Sequence, residues 1–190
     1  MKNTLHLIAI LLLTISCNTQ NTTELKVGDR VPEFSALDDQ SADWNSSTII
    51  TDFLVVYFYP AAMTGGCTAQ ACAYRDDKSS FDEMGATVIG VSGDEVKNLK
   101  QFKESYQLNF PLLSDTNGNI AKIFSVPTKD GGSITKEFNG DSFELTRGVT
   151  ASRWTFVLDK DRKVIYKNDQ VTAAEDSKNV KDIIKNYTNN

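Results

Sequence analysis

Histidine is almost absent from this chain: among 190 residues there is one, His6, and it lies in an apolar leader. A Ser-His-Asp or Cys-His pair and an HExxH zinc site all need an imidazole, so without that leader none of them can be built. A basic excess is missing too. Lys and Arg number 20 against 25 Asp and Glu, for a net charge of -5, and nucleic-acid binding normally needs the opposite balance. No glycine-rich phosphate loop of Walker or Rossmann pattern occurs, and no CxxC pair. These gaps argue against a protease, a zinc enzyme, a nucleotide binder and a nucleic-acid partner. They also leave no motif for a metal or an organic cofactor, so none is expected.

Long apolar runs are lacking as well. The longest, Leu5 to Ile15 behind Lys2, is too short to cross a bilayer and has the size of a signal-peptide core. It ends "LTISC", where Ser16 before Cys17 resembles a bacterial lipobox, although Thr14 stands where that motif usually has Leu or Val. The expected organisation is a lipoprotein-type signal peptide over 1–16, a polar tether over 17–25 and one domain over 26–190. Cys17 would carry the lipid and be the only membrane contact. The protein would then be exported to the periplasmic side of the cell envelope.

With Cys17 so used, two of the three cysteines remain, both inside "PAAMTGGCTAQACAYRD". A disulfide between Cys67 and Cys72 would close a very short loop, and such a staple removes little entropy from the unfolded chain. The pair therefore reads as chemical rather than structural.

The pattern around it alternates strands with helices. "DFLVVYFY" (52–59) is apolar and β-branched without polar interruption after Asp52, the mark of a central parallel strand buried on both faces. A helix is expected from about Thr64 through Met84, then a strand over 86–93. Asp94 is a candidate N-cap for a helix carrying Val96, Leu99, Phe102 and Tyr106 at helical spacing. A short strand (110–115), a short helix, a β-hairpin over 154–166 and a final helix (174–187) follow. The stretch 127–152 has no long periodicity, and both a small hairpin and an active-site loop stay open for it. The fold class is α/β, thioredoxin-like, with a central mixed β-sheet flanked by helices.

If Cys67 sits in the first helical turn, free backbone N–H groups and the positive end of the helix dipole favour its thiolate, which is the nucleophilic form. Gly65 and Gly66 permit close approach of a small ligand, and Thr64 offers a hydroxyl. A thiolate attacking a peroxide becomes a sulfenic acid, which a second thiol can condense with. On an unbroken helix, residues five apart lie about 7.5 Å apart along the axis and about 140° apart around it. That exceeds disulfide reach, so Cys72 could meet Cys67 only if the helix start unwinds.

"YFYPAAMTGGCTAQACAYRD" resembles the active-site segment of the peroxiredoxins, in their Q-type or bacterioferritin comigratory protein branch. Pro60, Thr64 and Cys67 match the Pro-x-x-x-Thr-x-x-Cys hallmark and Cys72 its resolving cysteine, while "VGDRVPEF" and "SRWTFVLDKDRKV" resemble the family's opening and its arginine-bearing segment. The resemblance implies that Cys67 is the peroxidatic nucleophile and Cys72 the resolver. It further implies that Thr64 bonds peroxide and thiolate, that Pro60 shapes the pocket, and that Arg153 holds the thiolate and polarises the peroxide. A peroxide substrate, a thioredoxin-like reductant and a monomer are implied with them. Two positions depart from the branch: Gly65 replaces a proline and Gln70 a frequent glutamate. Arg75 competes with Arg153 as the cation near sulfur, and Met63 and Trp154 are expected to line the pocket wall. A thiol-disulfide oxidoreductase tethered to the membrane is the alternative, weakened by the missing CxxC; a non-catalytic surface lipoprotein is the third reading.

Overall fold

Strand β3 (Phe53–Phe58) is apolar at every position and buried at every position, because it runs through the middle of a five-stranded sheet. The computed structural model describes residues 24–189. The signal segment, Cys17 and most of the tether fall outside them.

A small antiparallel pair, β1 (Ser35–Leu37) and β2 (Asp43–Asn45), precedes the main sheet. After β3 come α1 (Gly65–Asp76), α2 (Lys78–Glu83), β4 (Ala86–Ser92), α3 (Val96–Tyr106), β5 (Leu112–Ser114) and α4 (Asn119–Ile123). Then follow β6 (Thr128–Phe138), β7 (Asp141–Ala151), β8 (Thr155–Asp159), β9 (Val164–Asn168) and α5 (Asp176–Thr188). The main sheet runs β5-β4-β3-β8-β9, with β4 and β5 parallel to β3 and β8 and β9 antiparallel to their inner neighbours. This is the mixed, helix-flanked sheet expected of a thioredoxin-like fold.

Strand periodicity divides the core in two. Phe53, Val55 and Tyr57 face a cluster that includes Cys67, Tyr74, Phe81, Leu99, Phe102, Val180 and Ile184. Leu54, Val56 and Phe58 face the opposite cluster around Phe34, Ile120, Phe124 and Phe156. Each Å² of apolar surface so removed from water stabilises the fold by about 25 cal/mol. The two layers together fix β3 rigidly, and with it the loop that leaves its carboxyl end.

Three local expectations change. The helix expected from Thr64 to Met84 breaks at Asp77, which ends α1 and begins α2. There the Asp77 carboxylate accepts from Ser177 Oγ at 2.7 Å and pairs with Lys181, both on α5, so the break is where the third element docks. Asp94 does not cap α3; Glu95 is the N-cap residue, and Asp94 is turned inward. Lastly, residues 127–152 hold a hairpin with strands of 11 residues each, larger than the small hairpin considered and ordered rather than a loop. Asn139 and Gly140, both at positive φ (52° and 89°), make its two-residue turn. That is the type I′ geometry Asn-Gly favours, and the dipeptide was the available signal.

The root of this hairpin is bound to the end of β4. Gly148 N donates to Gly93 O at 2.9 Å, Glu95 N to Thr146 O at 3.0 Å and Asn98 Nδ2 to Thr146 O at 2.6 Å. A Cβ on Gly93 would lie 2.0 Å from Val149 O, so only glycine permits the approach. The chain leaves β7 there and runs directly into Ser152 and Arg153.

Candidate active site

The loop from Pro60 to Thr64 joins the carboxyl end of β3 to α1, the place where α/β sheets present their ligands. Its path is fixed from inside. Ala62 N donates to the buried Asp94 Oδ2 at 2.9 Å, and Ser92 Oγ donates to the same oxygen at 2.8 Å. Burial pushes the Asp94 carboxyl above its ordinary range, and the Ala62 and Ser92 bonds oppose that. Met63 takes a left-handed φ of 58°, a costly conformation for a residue with a Cβ. It is held by burial in the same cluster as Cys67.

Thr64 is the N-cap residue of α1 but makes no side-chain cap; its Oγ1 donates instead to Ala61 O at 2.8 Å. The first-turn N–H groups of α1 are thus left without a side-chain acceptor, and the hydroxyl oxygen keeps lone pairs for a donor. Pro60 is half-buried where β3 ends. Cys67 is the third residue of the helix and 1% exposed.

Arg153 reaches Cys67 from the strand side: its Nη2 donates to Cys67 Sγ at 3.3 Å, and its Nη1 to Gln70 Oε1 at 2.6 Å. The competing cation, Arg75, turns away, binding Asp76 at 2.8 Å and Tyr106 O at 2.6 Å. Gly66 leaves room for the guanidinium, since a Cβ there would come within 3.3 Å of Arg153 Nη2 and 4.0 Å of Ala173 Cβ. Arg153 and Thr155, the second of which opens β8, turn to the side of Cys67 and Asp176, while the irregular Trp154 between them turns to the other side. Trp154 therefore does not wall the pocket, contrary to the expectation from sequence. It packs on Phe156 in the opposite cluster, with Lys167 Nζ 4.4 Å from its ring centroid.

Cys72 is on α1 as well, half-buried, and both thiols are free. With the helix unbroken between them, their sulfurs are held apart in this state by the helical rise and rotation. Behind them lies a set of buried phenols: Tyr57 stacks on Tyr74 with centroids 4.8 Å apart and packs against Tyr59 at 5.6 Å. Burial raises all three hydroxyls well above the usual tyrosine value, so they stay neutral.

Sequence reasoning missed two groups. One is Asp94, assigned to a helix cap. The other is Asp176 at the start of α5, fully buried, whose Oδ2 accepts from Gln70 Nε2, Tyr74 OH and Thr155 Oγ1. Burial pushes the Asp176 carboxyl up against the pull of those donors and of Arg153. Nothing local in "AAEDSK" distinguishes it from a helix-start aspartate. Among the described residues, no group of three or more His, Cys, Asp or Glu is placed to hold a metal ion.

Comparisons with known proteins place the chain in a family. The AhpC/TSA family model matches residues 27–167. The chain is 40% identical over 139 residues to the chloroplastic peroxiredoxin Q of Oryza sativa subsp. japonica, covering 73% of this chain and 57% of that protein. It thus spans less than two thirds of the rice protein's length. The crystal structure of peroxidoxin BcpB from Mycobacterium tuberculosis superimposes with a TM-score of 0.71 at 32% identity, covering 86% of this chain and 98% of that one. The bacterioferritin comigratory protein of Xanthomonas campestris does so with a TM-score of 0.66 at 25% identity, over 81% and 91%. The family match runs from before β1 into β9 and includes the Pro60-to-Cys72 segment and Arg153. The chain belongs to the AhpC/TSA family, among the peroxiredoxins of the Q or bacterioferritin comigratory protein branch.

Proposed function

We propose that this protein is a thiol peroxidase that reduces hydrogen peroxide and organic hydroperoxides. The observation that carries the reading is Arg153 Nη2 at 3.3 Å from a Cys67 sulfur seated in the first turn of α1. A guanidinium and a helix N-terminus converge there on one buried nucleophile.

The Cys67 thiolate attacks the terminal oxygen of ROOH, forming the S–O bond as O–O breaks; the leaving alkoxide takes a proton and departs as ROH. Arg153 and the free first-turn N–H groups stabilise the charge that develops on the leaving oxygen. The Thr64 hydroxyl, held by Ala61 O, orients its lone pairs for the proton-bearing oxygen. Cys72 then attacks the sulfenic acid, forming the disulfide and releasing water. Because one continuous helix holds both cysteines, this step requires α1 to unwind at its start. A thioredoxin-like dithiol regenerates both thiols and leaves as its own disulfide. The organic-peroxide part draws on the Xanthomonas campestris relative, whose structure concerns alkyl peroxide reduction. The protein acts as a monomer, exported and anchored by lipid on Cys17.

The test is peroxide consumption by the chain lacking residues 1–17, which leaves residues 24–189 whole, with a thioredoxin system as electron source. Wild type should turn over, Cys67→Ser should be inert, and Cys72→Ser should oxidise once and stall. No consumption by wild type, even of one stoichiometric equivalent, sinks the reading. Insulin reduction in its place would favour the thiol-disulfide oxidoreductase alternative.

A further inference from the structure

Arg153 is held at Cys67 by a chain of bonds that ends on the last helix. Its Nη1 donates to Gln70 Oε1 at 2.6 Å, and Gln70 Nε2 donates onward to Asp176 Oδ2 at 2.7 Å. The same carboxylate oxygen accepts from Tyr74 OH at 2.8 Å and Thr155 Oγ1 at 2.7 Å. Gln70, Tyr74, Thr155 and Asp176 are each 0% exposed. Asp176 lies beyond the 27–167 stretch that the family model matches.

A neutral amide is an ambivalent anchor for a guanidinium, because a half-turn replaces its carbonyl by an NH2 that repels the cation. Between a carboxylate on one side and a cation on the other, only one orientation donates to the first and accepts from the second. Tyr74 and Thr155 do not supply this orientation, since both donate to Asp176 Oδ2 rather than to Gln70. The glutamate usual at position 70 in the resembling branch would carry its own charge to Arg153. Here position 70 is neutral and the carboxylate arrives from α5.

We infer that Asp176 is a positioning residue for the chemistry at Cys67: its carboxylate locks the Gln70 amide, and the locked amide holds the Arg153 guanidinium on the sulfur. This rests on the thiol-peroxidase reading above for its purpose, though not for its test.

The two physical effects of Asp176→Asn have opposite signs. Asn can turn its own NH2 towards Gln70, which frees the Gln70 amide to flip and Arg153 to swing away, so the sulfur of Cys67 loses its guanidinium contact. Loss of a buried negative charge by itself would instead make the field at the sulfur more positive and speed its reaction as a nucleophile. The measurement is the rate of Cys67 alkylation by iodoacetamide at neutral pH in the reduced full chain, read at Cys67 by peptide mass spectrometry, with folding followed by circular dichroism. Asp176→Asn should slow alkylation about tenfold, the low end of what one hydrogen bond to a charged group is worth. The transposed pair Gln70→Glu/Asp176→Asn puts the carboxylate beside Arg153 and the amide on α5, and should restore the rate to within about threefold of wild type, as coupled sites do. Alkylation of Asp176→Asn as fast as wild type or faster overturns the inference. So does a transposed pair as slow as the single variant. Should Asp176→Asn fail to fold, the transposed pair, which keeps one carboxylate and one amide in the same volume, decides alone: a rate within about threefold of wild type upholds the inference and a slower one overturns it. Alkylation uses no peroxide, so a wild-type protein without peroxidase activity would refute the functional reading and leave the positioning role of Asp176 to be decided by the alkylation rates alone.

Discussion

Replacing Arg153 separates chemistry from architecture at this site. Arg153→Met keeps much of the apolar stem and removes both guanidinium contacts, the one to Cys67 Sγ at 3.3 Å and the one to Gln70 Oε1 at 2.6 Å. On the proposed mechanism, losing a preorganised donor aimed at developing charge costs about 10²–10³ in rate, or roughly 3–4 kcal/mol in the barrier. The fold suffers separately, because Gln70 Oε1 is left buried without a donor, at about 1–3 kcal/mol. Arg153→Lys retains the charge and loses the planar fork, which cannot then serve Cys67 and Gln70 together. It should fall between, about tenfold slow. The assay is a single turnover: reduced protein mixed with one equivalent of peroxide, with loss of the Cys67 thiol followed by quenched alkylation, beside urea unfolding of each variant. An Arg153→Met protein that oxidises within about threefold of wild type while losing stability would refute the reasoning. Arg153 would then be a structural brace that happens to touch sulfur.

Two further outcomes follow from other contacts. Gly66→Ala should leave the protein at least as stable, since alanine exceeds glycine by up to about 1 kcal/mol in a helix. Its Cβ would press within 3.3 Å of Arg153 Nη2, so single-turnover oxidation should slow several-fold; an unchanged rate would show that the guanidinium has slack. Asp94→Asn tests linkage. Burial raises the Asp94 carboxyl above 3.8, so the folded state binds that proton more tightly than the unfolded state. The stability this lends is complete below the ordinary carboxylate value and is lost as pH rises through the raised folded value. Asp94→Asn should therefore flatten the fall in urea midpoint between mildly acid and neutral pH, and parallel curves for the two proteins would contradict it.

The contrast between Cys67 and Asp176 shows how far a sequence reaches into such a site. Pro60, Thr64, Cys67 and Cys72 lie within one strand-loop-helix segment, where the same short-range rules of strand end, helix start and thiol spacing set both structure and chemistry. The buried run of β3 made the sheet legible for the same reason. Arg153 stands 86 residues from Cys67, and only family resemblance pointed to it. Its neighbour Trp154 was misplaced because the face of an irregular residue depends on where β8 begins.

What the sequence determined by itself was local: the periodicities of the elements, the absence of an imidazole from the described residues, and a cysteine at a helix start. The tertiary structure decided which distant groups meet. It put the carboxylate of Asp176 106 residues along the chain from Gln70 yet 2.7 Å from its amide, folded the 128–151 hairpin against the end of β4, and turned Asp94 from a cap into a support for the Pro60–Thr64 loop. The physical reason is that hydrogen bonding, desolvation and Coulomb forces at the sulfur act over a few ångströms of space, whereas sequence patterns record only what happens within a few residues of chain.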